Sequence, residues 1–215
     1  IPRERVGVLL INLGTPDATD FWSIRRYLKE FLSDRRVIDV NPIFWKLLLN
    51  LVILNVRPSI AGKAYKEIWV EETDESPLRL HTRNQSEFLQ AMMDKNGESL
   101  VIDWAMRYGN PSIASKLEMM RSEGCRKILL LALYPQYSAT TTATAYDKAF
   151  EALSKMRWQP SVRTAPAYPD DATYIKALAE SVKSHIAKLD WKPDLLLTSF
   201  HGLPKRYLTA GDPYH

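Results

Sequence analysis

The chain alternates between short apolar runs and amphipathic stretches. Residues 6–13 are almost continuously apolar and close on Gly14-Thr15-Pro16, the pattern of a strand buried on both faces. Phe21, Ile24, Tyr27, Leu28, Phe31 and Leu32 then recur at helical spacing, with Arg25, Arg26 and Lys29 off that stripe. Residues 78–94 read as a further helix and residues 100–106 as a second strand. Asn110 is a natural N-cap, and Pro111 sits where a helix has no use for an N–H. Ile113, Leu117 and Met120 form one face of that helix, and Gly124 supplies its stop. Residues 127–134 predict a third strand, 140–156 an alanine-rich helix, 161–165 a short strand, 169–189 a long helix and 194–200 a last strand.

Strands separated by helices predict βαβ units, hence an α/β fold with a parallel, doubly wound sheet. The division expected is a first α/β domain over residues 1–168, then a connecting helix and the start of a second α/β domain over 169–215. One strand cannot complete an open sheet, so the second domain reads as truncated. The most apolar stretch, residues 43–56, is interrupted only by Lys46, Asn50 and Asn55. It falls short of the roughly 20 residues a spanning helix needs. A buried core helix is the first expectation. The alternatives are a hydrophobic lip around a ligand mouth and a surface that touches a membrane.

Composition narrows the function more than the fold. Lys and Arg outnumber Asp and Glu by 29 to 25, an excess that suits an anionic small molecule or an acidic membrane surface. No basic stripe is interleaved with aromatics, which argues against nucleic acid. The single cysteine, Cys125, excludes a disulfide framework or a cysteine-rich metal site within this span and fits a reducing, cytoplasmic setting. The N-terminus from Ile1 lacks a signal-peptide profile. No Gly-x-Gly fingerprint, phosphate loop or Gly-x-Ser-x-Gly elbow occurs, so nucleotide binding rests on fold class alone and hydrolase chemistry has no support.

In open parallel sheets, ligands bind beyond the carboxyl ends of the strands. Four segments fall there: residues 12–17, 106–111, 134–138 and 199–204, each polar or aromatic just where an apolar strand ends. His201 is the most suggestive residue, since imidazole can act as base or metal ligand near neutral pH. The other reading is a structural histidine that hydrogen-bonds the turn shaped by Gly202 and Pro204. His81, His185 and His215 show no ligand spacing with it.

These motifs identify a family resemblance. Val8-Leu9-Leu10-Ile11-Asn12-Leu13-Gly14-Thr15-Pro16-Asp17, the stretch from Arg26 to Ile38 with Phe31-Leu32-Ser33-Asp34-Arg35-Arg36, Leu133-Tyr134-Pro135-Gln136-Tyr137-Ser138, Ser199-Phe200-His201-Gly202-Leu203-Pro204 and Gly211-Asp212-Pro213-Tyr214 resemble ferrochelatase motifs, in ferrochelatase order. The resemblance implies a chelatase-like fold of two similar Rossmann-like domains, and insertion of ferrous iron into protoporphyrin IX to form haem. Coproporphyrin III is the nearest alternative substrate, and a porphyrin-binding module without catalysis is the alternative from another class.

By the same resemblance, His201 would stand at the metal-insertion centre, as base or as ligand. Leu13 would line the porphyrin face, or be an ordinary core leucine. Arg57 would pair with a propionate, or be a solvated surface arginine. Arg107 and Tyr108 would form a polar pair at the pocket, and Tyr134, Gln136 and Ser138 the opposite wall, with Tyr134 equally suited to packing. No cofactor is required in this span, ferrous iron being substrate. The family's facing glutamate, and any C-terminal iron–sulfur cluster, belong to a later part of the sequence. The 215 residues alone are therefore expected to be silent as a chelatase.

Overall fold

The computed structural model describes residues 4–215; the first three residues of the N-terminal reading lie outside them. The chain forms two compact units: one runs up to Leu133 and includes Ala139–Ala165, and the other comprises Tyr134–Ser138 and Pro166–His215.

The first unit is built on a four-stranded parallel sheet of order β2-β1-β3-β4. Its strands are β1 (Arg5–Thr15), β2 (Leu100–Gly109), β3 (Cys125–Ala132) and β4 (Ser161–Thr164). The apolar run of residues 6–13 takes a central position, and Leu9, Leu10 and Ile11 are buried. Each such side chain contributes about 1.5–3 kcal/mol when fully withdrawn from water. Helices α1 (Phe21–Leu32), α2 (Pro42–Leu48), α3 (Leu54–Ile68), α4 (Pro77–Lys95), α5 (Ile113–Ser122) and α6 (Thr144–Ser154) complete the unit. The α1 stripe reads as expected: Asp20 caps the helix by accepting from the Trp22 and Ser23 amides, and Ile24, Tyr27, Leu28 and Leu32 are buried.

Backbone contact sets two glycines. Gly14 has φ +113°, and a Cβ there would lie 1.9 Å from the Tyr108 carbonyl oxygen, so β1 can meet the end of β2 only through glycine. Gly62 lets α3 approach the loop before α1; a Cβ there would lie 2.7 Å from the Thr19 carbonyl oxygen. Gly62→Ala therefore sets a steric cost of about 1–3 kcal/mol against a helix-propensity gain of about 1 kcal/mol. The expected result is a net destabilisation of about 1 kcal/mol, read as a lowered melting temperature; an unchanged or raised one would contradict the close approach.

Two local expectations are corrected first. The helix after β2 is capped by Ser112, whose Oγ accepts from the Ser115 amide at 3.2 Å, not by Asn110. The Pro111 carbonyl instead accepts from the Met106 amide at 2.8 Å, which turns residues 110–111 back against β2 and delays the helix start. Gly124 (φ +88°) does follow α5, as its position implied. The alanine-rich helix begins with a π-helical turn, Ala139–Ala143, before α6.

The largest correction concerns residues 43–56. They are not a buried core helix. The segment forms α2, a π-helical turn (Leu49–Ile53) and the start of α3, and its apolar side chains face solvent: Ile43 is 74% exposed and Leu51 69%. Leu49 and Leu54 are buried in the core, beside Tyr27, Leu28 and Tyr108, and Trp45 and Ile53 pack against it half-buried. Trp45 anchors α2 by donating its indole N–H to the Leu32 carbonyl at 2.7 Å. Asn55 Nδ2 donates to the Asn50 and Leu51 carbonyls and so serves acceptors of the widened turn.

The second unit contains α7 (Ala172–Ile186), capped by Asp171, and the short α8 (Lys205–Thr209). Residues 194–200 do not form the expected strand, and Leu195, Leu196, Leu197 and Phe200 are exposed. A strand exists only by pairing with another, and among the described residues this segment has no ladder partner.

Candidate active site

In the first unit the carboxyl ends of β1 and β2 carry the residues singled out from the sequence. Leu13 is half-buried and packs against the core cluster that contains Tyr108. Its amide is bonded to the Asn12 side-chain oxygen at 2.8 Å, and Asn12 Nδ2 donates to Thr82 Oγ1 at 2.9 Å. These bonds fix the strand end.

Arg107 and Tyr108 point inward to a carboxylate that the sequence gave no role, Asp34. Tyr108 is fully buried, and its hydroxyl donates to Asp34 Oδ2 at 2.7 Å. The Arg107 guanidinium reaches the same oxygen at 2.5 Å and stacks over the Tyr108 ring at 4.2 Å. Its Nε donates to the Thr144 carbonyl and hydroxyl oxygens at 3.0 and 2.7 Å, and the Thr144 hydroxyl in turn donates to Asp34. Burial by itself would raise the Asp34 pKa. The hydrogen bonds from Thr144, Tyr108 and the Arg36 amide, together with the Arg107 charge, outweigh burial and hold the carboxyl below its ordinary value. Burial is also the first cause of the strongly raised pKa of the Tyr108 phenol, which keeps it a hydrogen-bond donor.

Arg57 lies on α3, exposed, and among the described residues it makes no salt bridge. A guanidinium in that setting is available to a carboxylate. It shares its helix with the exposed apolar side chains Val56 and Ile60.

In the second unit, Gln136 and His201 line one concavity of about 730 Å³, together with Phe200, Leu203, Asp212 and His215. Ser138 is buried and donates its hydroxyl to Asp212 Oδ2 at 2.9 Å. Tyr134 opens the same segment, half-buried, and is not among the side chains that line the concavity. His201 is exposed, with Nδ1 2.8 Å from the Gly202 carbonyl oxygen. A carbonyl can only accept, so this contact selects the tautomer with the proton on Nδ1 and leaves a lone pair on Nε2. The turn contact considered in the sequence is thus present, and it leaves the other nitrogen able to take a proton or bind a metal.

Sequence reasoning missed Asp34, Thr144, Asp212 and the position of His215. Asp34 and Asp212 stand inside motifs that resembled the family, so the signal was present without a role attached. The 73-residue separation between Asp34 and Arg107 carried no local periodicity. Among the described residues no group of three or more His, Cys, Asp or Glu side chains is placed to hold a metal.

Comparison with known proteins gives one family throughout. The ferrochelatase family profile matches residues 5–215. The ferrochelatase of Agrobacterium fabrum is 57% identical over 211 residues, covering 98% of this chain and 61% of its own length. That of Rhizobium etli is 58% identical over 215 residues, covering 100% and 62%, and that of Rhodopseudomonas palustris 53% identical over 211 residues, covering 98% and 61%. The chain spans about 61% of the length of the curated relatives it matches.

Proposed function

Because the chain belongs to the ferrochelatase family, we propose that the protein, in its full-length form, inserts ferrous iron into protoporphyrin IX, with His201 at the insertion centre. The observation that carries this reading is the His201 imidazole, exposed at a concavity, with Nδ1 held by the Gly202 carbonyl and Nε2 left with a lone pair. Insertion exchanges two pyrrole N–H protons for one Fe²⁺ and releases two protons. A neutral imidazole can accept one of them or hold the ion as it enters. Ferrous iron is a substrate here, and the reaction needs no resident cofactor in this span.

A porphyrin is a flat apolar ring with carboxylate arms, and the first unit supplies matching chemistry. Leu13 and the exposed face of α2 and α3 offer apolar contact, and the exposed Arg57 suits a propionate. Gln136 contributes a polar wall beside His201. Tyr134 supports that wall, and Ser138 acts by holding Asp212. Arg107 and Tyr108 serve by fixing the β2 end through Asp34. The assay that tests the reading offers protoporphyrin IX and coproporphyrin III in turn: insertion only into the latter would move the substrate, and porphyrin binding with no insertion into either would replace catalysis with carriage.

The protein is further proposed to work in the cytoplasm, peripheral to a membrane. Pro42–Ile68 is the one stretch among the described residues long and apolar enough to cross a bilayer. Burial of Leu49 and Leu54 ties one side of it to the core, and Lys46, Arg57, Lys63 and Lys66 flank the exposed face, a pattern suited to lying on anionic lipid. Leu47 and Leu51 are exposed, so replacing both with glutamate leaves the melting temperature unchanged while lowering co-sedimentation with anionic phospholipid vesicles several-fold. Unaltered vesicle binding would exclude the contact.

A further inference from the structure

We propose that Asn12 and Thr82 are positioning residues for the porphyrin: they hold the Leu13 backbone so that its side chain meets the ring in one fixed place. This rests on Leu13 being a ring contact.

The order β2-β1-β3-β4 puts the reversal of strand order between β1 and β3, the crevice where open parallel sheets take their ligands. The ladder between those two strands ends at the Ile11–Ala132 pair, where the Leu133 amide donates to the Ile11 carbonyl at 2.8 Å. Its next bond would run from the Leu13 amide to the Leu133 carbonyl. The Leu13 amide donates instead to Asn12 Oδ1 at 2.8 Å. A side chain thus takes over from the sheet at the edge of the crevice.

Asparagine suits that exchange because a carboxamide both accepts and donates. With Oδ1 taken by the Leu13 amide, Nδ2 donates to Thr82 Oγ1 at 2.9 Å. Thr82 is fully buried on α4, and its hydroxyl donates to the Leu78 carbonyl at 2.7 Å, so its oxygen is left to accept from Asn12. These bonds tie the strand end to the first turns of α4. On the other side of Leu13, Gly14 lies close against the Tyr108 backbone, and its carbonyl accepts from the Tyr27 hydroxyl at 3.3 Å. Leu13 is held through both neighbours, and its half-buried side chain takes its place from them. Misplacing a substrate contact by about 1 Å can cost about 10²-fold in rate, which makes the backbone clamp part of how the ring is presented.

The test is a double-mutant cycle in the full-length protein, read by fluorescence titration with protoporphyrin IX and by iron insertion. Asn12→Ala removes both bonds. Thr82→Val keeps the buried shape and removes the acceptor, and it serves the same test where Asn12→Ala does not fold. Each is expected to weaken porphyrin binding about tenfold and to lower kcat, while the KM for Fe²⁺ stays within about twofold. Thr82→Ser retains the hydroxyl and restores binding. On a Leu13→Ala background the losses from Asn12→Ala and Thr82→Val shrink to within about twofold, because the residue they act through is gone. A purely structural role would lower the melting temperature and leave the affinity of the folded protein unchanged. Equal losses with and without the Leu13 side chain overturn the positioning role, and the ring contact stands where Leu13→Ala alone weakens binding. A Leu13→Ala variant that binds porphyrin like wild type overturns the ring contact and the positioning role together. Coupling in a wild type that binds porphyrin but inserts no iron upholds the positioning role and overturns the chelatase reading.

Discussion

Replacing Asp34 with alanine is expected to destabilise the first unit by about 3–5 kcal/mol, the range for removing one partner of a buried ion pair. The side chain is 8% exposed and Arg107 10%, so alanine leaves a guanidinium buried without its main counter-charge. The Tyr108 hydroxyl, fully buried, loses its acceptor at the same time. Thr144 loses its contact too, and with it the link from the end of α1 to the start of α6. Such a loss is a large share of the 5–15 kcal/mol that stabilises a typical domain. Urea unfolding at neutral pH measures it, and a midpoint shift equivalent to less than about 1 kcal/mol would place Asp34 among exposed pairs.

The same carboxylate sets an acid response. Its folded pKa lies below the unfolded value near 3.9. Its contribution is therefore fully present above about pH 4 and is lost as pH falls through the lower folded value. The difference in stability between wild type and Asp34→Ala should narrow on acidification across that window, and a constant difference would contradict the lowered pKa.

The second large effect belongs to His201. Its alanine variant should melt like wild type, because the side chain is exposed and its one described bond is to the adjacent Gly202 carbonyl. Iron insertion should fall by about 10²–10⁴, the scale of a lost acid–base group, and further where the imidazole also holds the ion. Porphyrin binding should survive, since the proposed ring contacts, Leu13, Arg57 and the α2–α3 face, do not depend on that imidazole. Retained affinity with lost turnover separates chemistry from binding.

What the sequence made legible follows from how local each signal is. The β1 run, the α1 stripe and the α5 face appear where expected because burial periodicity is written in consecutive residues. Residues 43–56 went the other way: an apolar pattern records that a face avoids water and says nothing of what covers it. Residues 194–200 have strand composition, yet a strand needs a ladder partner that no local pattern supplies. At the candidate site, His201 could be read from its turn. Asp34 could not be paired with Arg107, because the fold alone brings those residues together.

The measurement that bears most directly on the central claim is anaerobic iron insertion into protoporphyrin IX, followed by loss of porphyrin fluorescence, with the full-length protein and its His201→Ala variant. Wild type should consume the porphyrin while the variant binds it and leaves its fluorescence intact. Equal rates from both would contradict the role given to His201, and a wild type that binds porphyrin without inserting iron would contradict the activity itself.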